Sequence, residues 1–326
     1  MTELQPRIID DPVWGPTTIA EPVILELMDS PEMQRTKGIC QLGVPKDYHS
    51  LNTFSRYDHM VGSMLAVRKV GGDLAQQVKA LIHDINHTAF SHLPDWIKDK
   101  ESNQDFQDET FGKFLRRSNL PAILTRYGFD VEVFIGSRVY PLAELDAPLL
   151  CADRLDYALR ELLISGFASE RLVRRCVDDL TTFDGRMVFR SSAAAMYFGW
   201  GFLTLWDQDW NSRESLGQHL LFRDILSDAL KDGLISWGDF KEDDEFVLDK
   251  LRSNIDIRLR LENLKIPLDE NLHLPSIQGQ HGPHKFRWVD PELIAGGRLF
   301  KLTDVNTTYA EAIRNRIQAA KTGFVI

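Results

Sequence analysis

The chain has 326 residues, of which 43% are hydrophobic and 26% charged, with a formal net charge of −10. This is the composition of an ordinary globular protein able to bury a large core without disulfides or a structural metal. The negative balance excludes broad, non-specific nucleic-acid binding but leaves room for a small anionic substrate, because a metal and a few local cations can reverse the field inside a pocket.

Residues 1–20 read as an irregular or short-strand lead-in punctuated by Pro6, Pro12, Gly15 and Pro16. A helix is expected over 21–36, broken at Ser30-Pro31. Another is expected over 58–71, ended by Gly71-Gly72. Asp73 is positioned as N-cap of the next, whose apolar stripe is Leu74, Val78, Leu81, Ile82 and Ile85. Further helices are expected at 103–117, 143–164 and 168–178. Residues 180–192 predict a β-hairpin turning at Asp184-Gly185. Long helices follow at about 192–212 and 214–232, then a charged one at 242–262. The tail from about 285 mixes short strands with a helix at 308–320.

The expected fold class is mostly α, with small β-hairpin additions and a mixed C-terminal region. Residues 1–165 form the core with its lead-in. Residues 166–326 form a helical and mixed extension packed on it, giving one continuous globular unit. Cys40, Cys151 and Cys176 form no CxxC pair, so neither a zinc finger nor a disulfide framework is supported, and a reducing cytoplasm fits. The N-terminus lacks a signal pattern, and no run approaches the length of a membrane span.

Four positions carry chemistry. They are His59 in RYDHMVGS, His83-Asp84 in ALIHDINH, and Asp153 in CADRLDYAL. Each sits on or at the end of an expected helix with an apolar face, so the four can converge on one buried point. Burying unpaired imidazoles and carboxylates is costly, and a cation offsets that cost. The donor set suits one divalent ion: Mn, Fe, Ni, Co, Zn or Mg. If the helix continues past His83, His87 lies one turn on, where an imidazole could pass a proton to a leaving oxygen. Asp153, Asp156 and Tyr157 share a face by their spacing.

The strings IIDDPVWG, SPEMQRTKGICQLG, SRYDHMVGS, LIHDINHTAFSH and ADRLDYALRE resemble the HD-domain superfamily. Their order and spacing resemble its branch of deoxynucleoside triphosphate triphosphohydrolases. The resemblance covers about residues 8–165. It implies a helical HD bundle and a metal-dependent phosphohydrolase with His59, His83, Asp84 and Asp153 as ligands. It implies that Arg56 and Arg154 contact phosphate, that His87 and His92 work on the phosphate beside the metal, and that Glu109 is the acidic partner of the catalytic His87. Tyr157 then faces the substrate, and Gln41 and Leu42 lie near base and sugar. The expected partner is a small-molecule phosphate, a nucleotide first, with neither nucleic acid nor membrane; the family's habit of assembling leaves room for a homo-oligomer.

Two departures stand beside the resemblance. Asp108 occupies a position where the branch has a His. The segment FLTLWDQDWNSRESLGQH is acidic and Trp-rich where the branch holds a phosphate tail with an Arg and a Tyr. Phe198, Trp200, Phe202, Trp206 and Trp210 read as core packing, or alternatively as a pocket wall. Competing readings are a phosphatase acting on a non-nucleotide ester and a non-catalytic nucleotide-binding regulator. A two-iron oxygenase needs further ligands, and no His occurs between His92 and Asp153.

Overall fold

The computed structural model describes residues 5–49, 52–98, 106–136, 139–266 and 286–322, with the backbone alone for 106–109 and 322. Its described residues form sixteen α-helices and two small sheets, the mostly α architecture expected.

The lead-in is an antiparallel hairpin, Arg7–Asp11 with Gly15–Ile19. Asp11 closes its turn by accepting from the backbone N–H of Val13 at 2.8 Å and of Trp14 at 3.0 Å. Ser55 then caps the helix Arg56–Lys69 in a reciprocal capping box with Asp58. Asp73 caps the helix Leu74–Ile82 as its position suggested, accepting from Gln76 N at 2.8 Å.

Several expected boundaries move. The helix Leu74–Ile82 stops before His83, so His87 does not follow on a continuing helix face but sits beyond a turn. The helix expected from 143 begins at Ala152 and runs to Ile164, because Pro148 cannot occupy a helix interior. The helix Ser192–Leu205 is continued by a wider π-turn over Trp206–Trp210. Residues 242–262 divide into Asp244–Arg252 and Ile255–Asn263, since Asn254 turns its carbonyl onto Asp256 N and Ile257 N and restarts the helix.

The hairpin Leu180–Phe183 with Arg186–Phe189 forms as expected, with Asp184 and Gly185 both at positive φ. Its second strand pairs in parallel, Phe189 to Leu293, with the tail hairpin Glu292–Ala295 and Arg298–Lys301, making a four-stranded sheet. One buried apolar cluster gathers side chains from Val13 to Ile313. A second gathers Val44, Phe90, Phe222, Phe240, Leu261 and their neighbours.

Helix Arg56–Lys69 packs against helix Ala152–Ile164 at a glycine. A Cβ on Gly62 would lie 1.9 Å from Asp156 Oδ1 and 2.2 Å from Arg160 Nη2, so only glycine allows this approach. The packing brings the first and last chemistry-bearing motifs of the first half together.

Candidate metal centre

His59 projects from the Arg56–Lys69 helix, while His83 and Asp84 occupy the turn that ends the next helix. Donor atoms of these three buried residues lie within 4.8 Å of one another. Asp153, from the first turn of the Ala152–Ile164 helix, joins them: its Oδ1 lies 3.2 Å from His59 Nε2 and 3.7 Å from His83 Nε2. Asp84 Oδ2 is 3.8 Å from His59 Nε2, and Asp84 Oδ1 is 3.6 Å from His83 Nε2.

Each imidazole meets an acceptor on both sides. His83 Nδ1 is 2.8 Å from the Ala80 carbonyl, which makes Nδ1 the donor. Its buried Nε2 has no hydrogen-bond partner and faces the two carboxylates. His59 Nδ1 is 2.9 Å from Asp156 Oδ2, and its Nε2 likewise faces Asp153. An imidazole lone pair directed at a carboxylate is repulsive unless a proton or a cation stands between them. Without a cation the imidazoles hold that proton. Burial opposes charge on His83, but Asp84, Asp153 and Glu144 outweigh it and push the imidazole up to about 10. Burial opposes charge on His59 as well, but Asp153 and Asp156 outweigh it and hold the imidazole above its ordinary range. Burial works against ionising Asp84 and Asp153, yet the imidazoles, with Arg56 at Asp84, hold both well below the usual carboxylate range. A divalent cation fits this donor set and would replace those protons.

Arg56 is 3% exposed and already committed. Its Nη1 donates to Asp84 Oδ2 at 2.5 Å, its Nε to Ser91 Oγ at 3.0 Å and its Nη2 to the Gln41 carbonyl at 3.2 Å. It braces Asp84 and two loops. Arg154 donates to the carbonyls of Leu145 and Leu149 and so braces the loop before its helix. Gln41 Oε1 is buried without a partner. Leu42 offers its carbonyl to His219 Nε2 at 2.7 Å.

His87 Nε2 is 3.5 Å from Asp84 Oδ1, and its ring stands edge-on to His92 with centroids 4.9 Å apart. Burial first, and then Arg56, hold both imidazoles neutral, well below their ordinary range. His87 Nε2 and His92 Nδ1 are buried and unpartnered. Between them, Phe90 and Ser91 take positive φ. That strain is held by Phe90 packing on Phe222 and Phe240, by Phe90 N donating to Asp244 at 2.7 Å, and by Ser91 Oγ donating to the Cys40 carbonyl at 2.6 Å. Glu109 lies in helix Phe106–Arg117, and its side chain is outside the described residues. Its neighbour Thr110 is tied to Asn86 at 3.0 Å, which brings that helix to the turn after Asp84.

The far wall is shared between the Ala152–Ile164 helix and the second half of the chain. The Tyr157 ring lies 6.1 Å from His59 and 5.7 Å from Trp210. Trp210 packs on Phe202, and Trp206 on Phe286. The aromatic stripe is thus divided, with Phe198 and Phe202 in the core and Trp210 beside Tyr157. The acidic segment is also divided. Asp207 pairs with Arg316, whereas Asp209 is 1% exposed beside Glu161, whose carboxyl burial and Asp209 push well up. Arg287 brings positive charge near His92, Tyr157 and Glu161 together. Neither Arg287 nor Ser91 carries a sequence signal, since both reach the site through tertiary packing.

No family model matches the chain. It is 29% identical over 300 residues to the metal-dependent phosphohydrolase cns2 of Cordyceps militaris, covering 88% of this chain and 84% of that one. It is 31% identical over 329 residues to the uncharacterised protein YdhJ of Bacillus subtilis, covering 98% of each. A deoxynucleoside triphosphate triphosphohydrolase of Gallus gallus is 26% identical over 148 residues, covering 39% of this chain and 24% of that one. A phosphohydrolase structure from Bacteroides thetaiotaomicron superposes with a TM-score of 0.68 at 18% identity, covering 92% and 94%. No helix among the described residues is long and apolar enough to cross a membrane.

Proposed function

The chain belongs to the HD-type metal-dependent phosphohydrolases, and from that premise we propose that it hydrolyses a phosphoester of a small nucleotide at one divalent cation held by His59, His83, Asp84 and Asp153. The observation that carries this reading is the convergence of the His59, His83 and Asp84 donors with Asp153 3.2 Å from the same His59 nitrogen. A cation there supplies polarisation of the phosphate and an acidified water.

The chain's own residues do the rest. Asp156 and the Ala80 carbonyl hold the two imidazoles by their Nδ1 atoms and aim their Nε2 atoms inward. His87, kept neutral by burial and Arg56, is the proton-transfer group: its Nε2, free of hydrogen bonds, takes the proton of the attacking water and passes it to the leaving oxygen. Glu109 orients it. His92 and Tyr157 line the phosphate side, and Arg56 and Arg154, whose hydrogen bonds go to protein groups, act on the phosphoryl oxygens through their charge alone. Gln41 and Leu42 lie toward base and sugar.

The relative that acts on deoxynucleoside triphosphates supports a nucleotide, with purine deoxynucleotides as first candidates. The Asp207–Asp209 turn, with Asp207 paired to Arg316 and Asp209 buried beside Glu161, supplies no cation for a phosphate tail, which favours a shorter phosphate chain. The same turn supports a second reading, a phosphatase for a non-nucleotide ester. The test incubates purified protein and Mn, Fe, Ni, Co or Mg with dGTP, dATP, GTP, dGMP and sugar phosphates, separating phosphate, diphosphate and triphosphate. Turnover of nucleotides supports the proposal, and intact triphosphate release marks the triphosphohydrolase chemistry. Activity confined to sugar phosphates overturns the nucleotide assignment and leaves the phosphohydrolase standing.

A further inference from the structure

The metal centre has a second layer, and it comes from the N-terminal hairpin. Asp156 is fully buried and accepts from four donors: His59 Nδ1 at 2.9 Å, Trp14 Nε1 at 2.7 Å, and Arg160 Nε and Nη2 at 3.1 and 2.7 Å. Arg160, 2% exposed, also donates from Nη2 to Asp11 Oδ2 at 2.8 Å. Asp11 spends its other oxygen on the Val13 and Trp14 amides, which closes the hairpin turn. A continuous chain of side-chain hydrogen bonds therefore runs from that turn through Arg160 and Asp156 to His59.

We propose that the N-terminal hairpin is a positioning element for the metal centre: Asp11, Trp14 and Arg160 fix the Asp156 carboxylate, which holds His59 as the Nδ1–H tautomer with its Nε2 lone pair directed at the cation. None of the three touches substrate or metal, and each acts through Asp156.

The chemistry of the network favours this role over plain packing. A buried ion network contributes little to stability compared with an apolar replacement of equal volume. Satisfied polar networks instead specify one geometry. The four donors aimed at Asp156 come from three directions: two from Arg160 on its own helix one turn on, one from the hairpin, and one from the His59 helix. The carboxylate can neither rotate nor withdraw without breaking a bond. Glycine at 62 lets the His59 helix come close enough for the bond to form. A carboxylate behind a ligating histidine fixes the ring and raises its basicity, and its loss costs about 10–100-fold in metal affinity.

The inference rests on the metal reading above, and the experiment separates the two. Mn affinity is measured by calorimetric titration of the full chain, and the protein loaded with diamagnetic Zn, labelled with nitrogen-15 in histidine, reports by NMR which His59 ring nitrogen carries the proton. Trp14→Phe removes the N–H and keeps an aromatic ring at the position. Asp11→Asn weakens the hold on Arg160. Arg7→Ala is the control: it breaks the exposed pair of Arg7 with Asp29 on the same hairpin without touching the network. Trp14→Phe and Asp11→Asn are expected to weaken Mn binding about tenfold and to mix the His59 tautomers. Arg7→Ala is expected to lower the unfolding midpoint slightly with unchanged affinity and an unchanged tautomer. Unchanged affinity and tautomer in Trp14→Phe overturns the proposal even if Asp11→Asn fails to fold. Loss of affinity in Arg7→Ala equal to that in Trp14→Phe also overturns it, because the hairpin would then act only through stability. No Mn binding by the unchanged protein would bring down the metal reading itself.

Discussion

The two sides of the site are built in different ways. The metal side comes from three short segments of the first half, and its groups hold one another: Asp153 and Asp156 bracket the two nitrogens of His59, and Arg56 clamps Asp84. The far side is made where the second half meets the Ala152–Ile164 helix: Tyr157 meets Trp210 and Phe202, Trp206 meets Phe286, and Asp209 is buried against Glu161. One side is a polar lattice around a cation position, and the other is an aromatic wall with a buried acid pair. Chemistry that demands fixed charge geometry is concentrated in local motifs. The aromatic wall opposite is assembled by tertiary packing.

The largest expected effect breaks the metal side. His83→Ala or Asp84→Ala should lose more than about 100-fold in metal affinity and nearly all turnover, since a ligand outranks the outer groups that alone cost 10–100-fold. Elemental analysis and steady-state kinetics on the same preparations check this. Retained metal in Asp84→Ala would remove that residue from the set.

His87→Ala sharpens the comparison within the polar side. It should keep its metal and its unfolding midpoint while kcat falls by roughly 10²-fold or more, the usual scale for a positioned acid or base. A drop in metal content would make His87 a ligand instead.

The far wall should answer differently. Tyr157→Phe, which keeps the ring against Trp210, should leave metal affinity unchanged and raise KM by about tenfold, the scale of one lost hydrogen bond. A fall in metal affinity equal to that of Asp84→Ala would erase the distinction between the two sides.

Asp244 joins the site loops to the second half, accepting from Cys40 N at 2.8 Å and Phe90 N at 2.7 Å. Burial pushes its carboxyl up to about 7 against those two donors. The folded pKa therefore lies above the unfolded value, and the folded chain holds more protons between them. Asp244 thus contributes stability that is fully present below about pH 4 and lost as pH rises through about 7. Denaturant titration should show the advantage of the unchanged protein over Asp244→Asn shrinking by about 2 kcal/mol from pH 5 to pH 8. A constant difference would mean that the carboxyl is ionised throughout.

How much of this the sequence disclosed follows the same division. His59, His83, Asp84 and Asp153 stood out because each lies in a short string with its own helix signals. Asp73 capped its helix and Asp184-Gly185 turned its hairpin because those signals are local. A shared helical face for His83 and His87 depends on the helix continuing past His83; it ends at Ile82, and a turn carries His87 to Asp84 instead. Arg56 was expected at phosphate and is spent on Asp84, Ser91 and Gln41, partners from three different segments. Trp14, Asp11 and Arg160 gave no local sign of acting together, because they meet only when the hairpin docks on the helix pair. Arg287 likewise reaches the site only through the docking of the tail on the Trp206 turn.

The central claim is one divalent cation at the meeting point of His59, His83, Asp84 and Asp153. Diffraction from Mn-soaked crystals at the manganese absorption edge tests it most directly. The account predicts a single strong anomalous peak per chain within ligand distance of His59 Nε2, His83 Nε2 and carboxylate oxygens of Asp84 and Asp153. A peak elsewhere, or two strong peaks of equal height at the site, would contradict it.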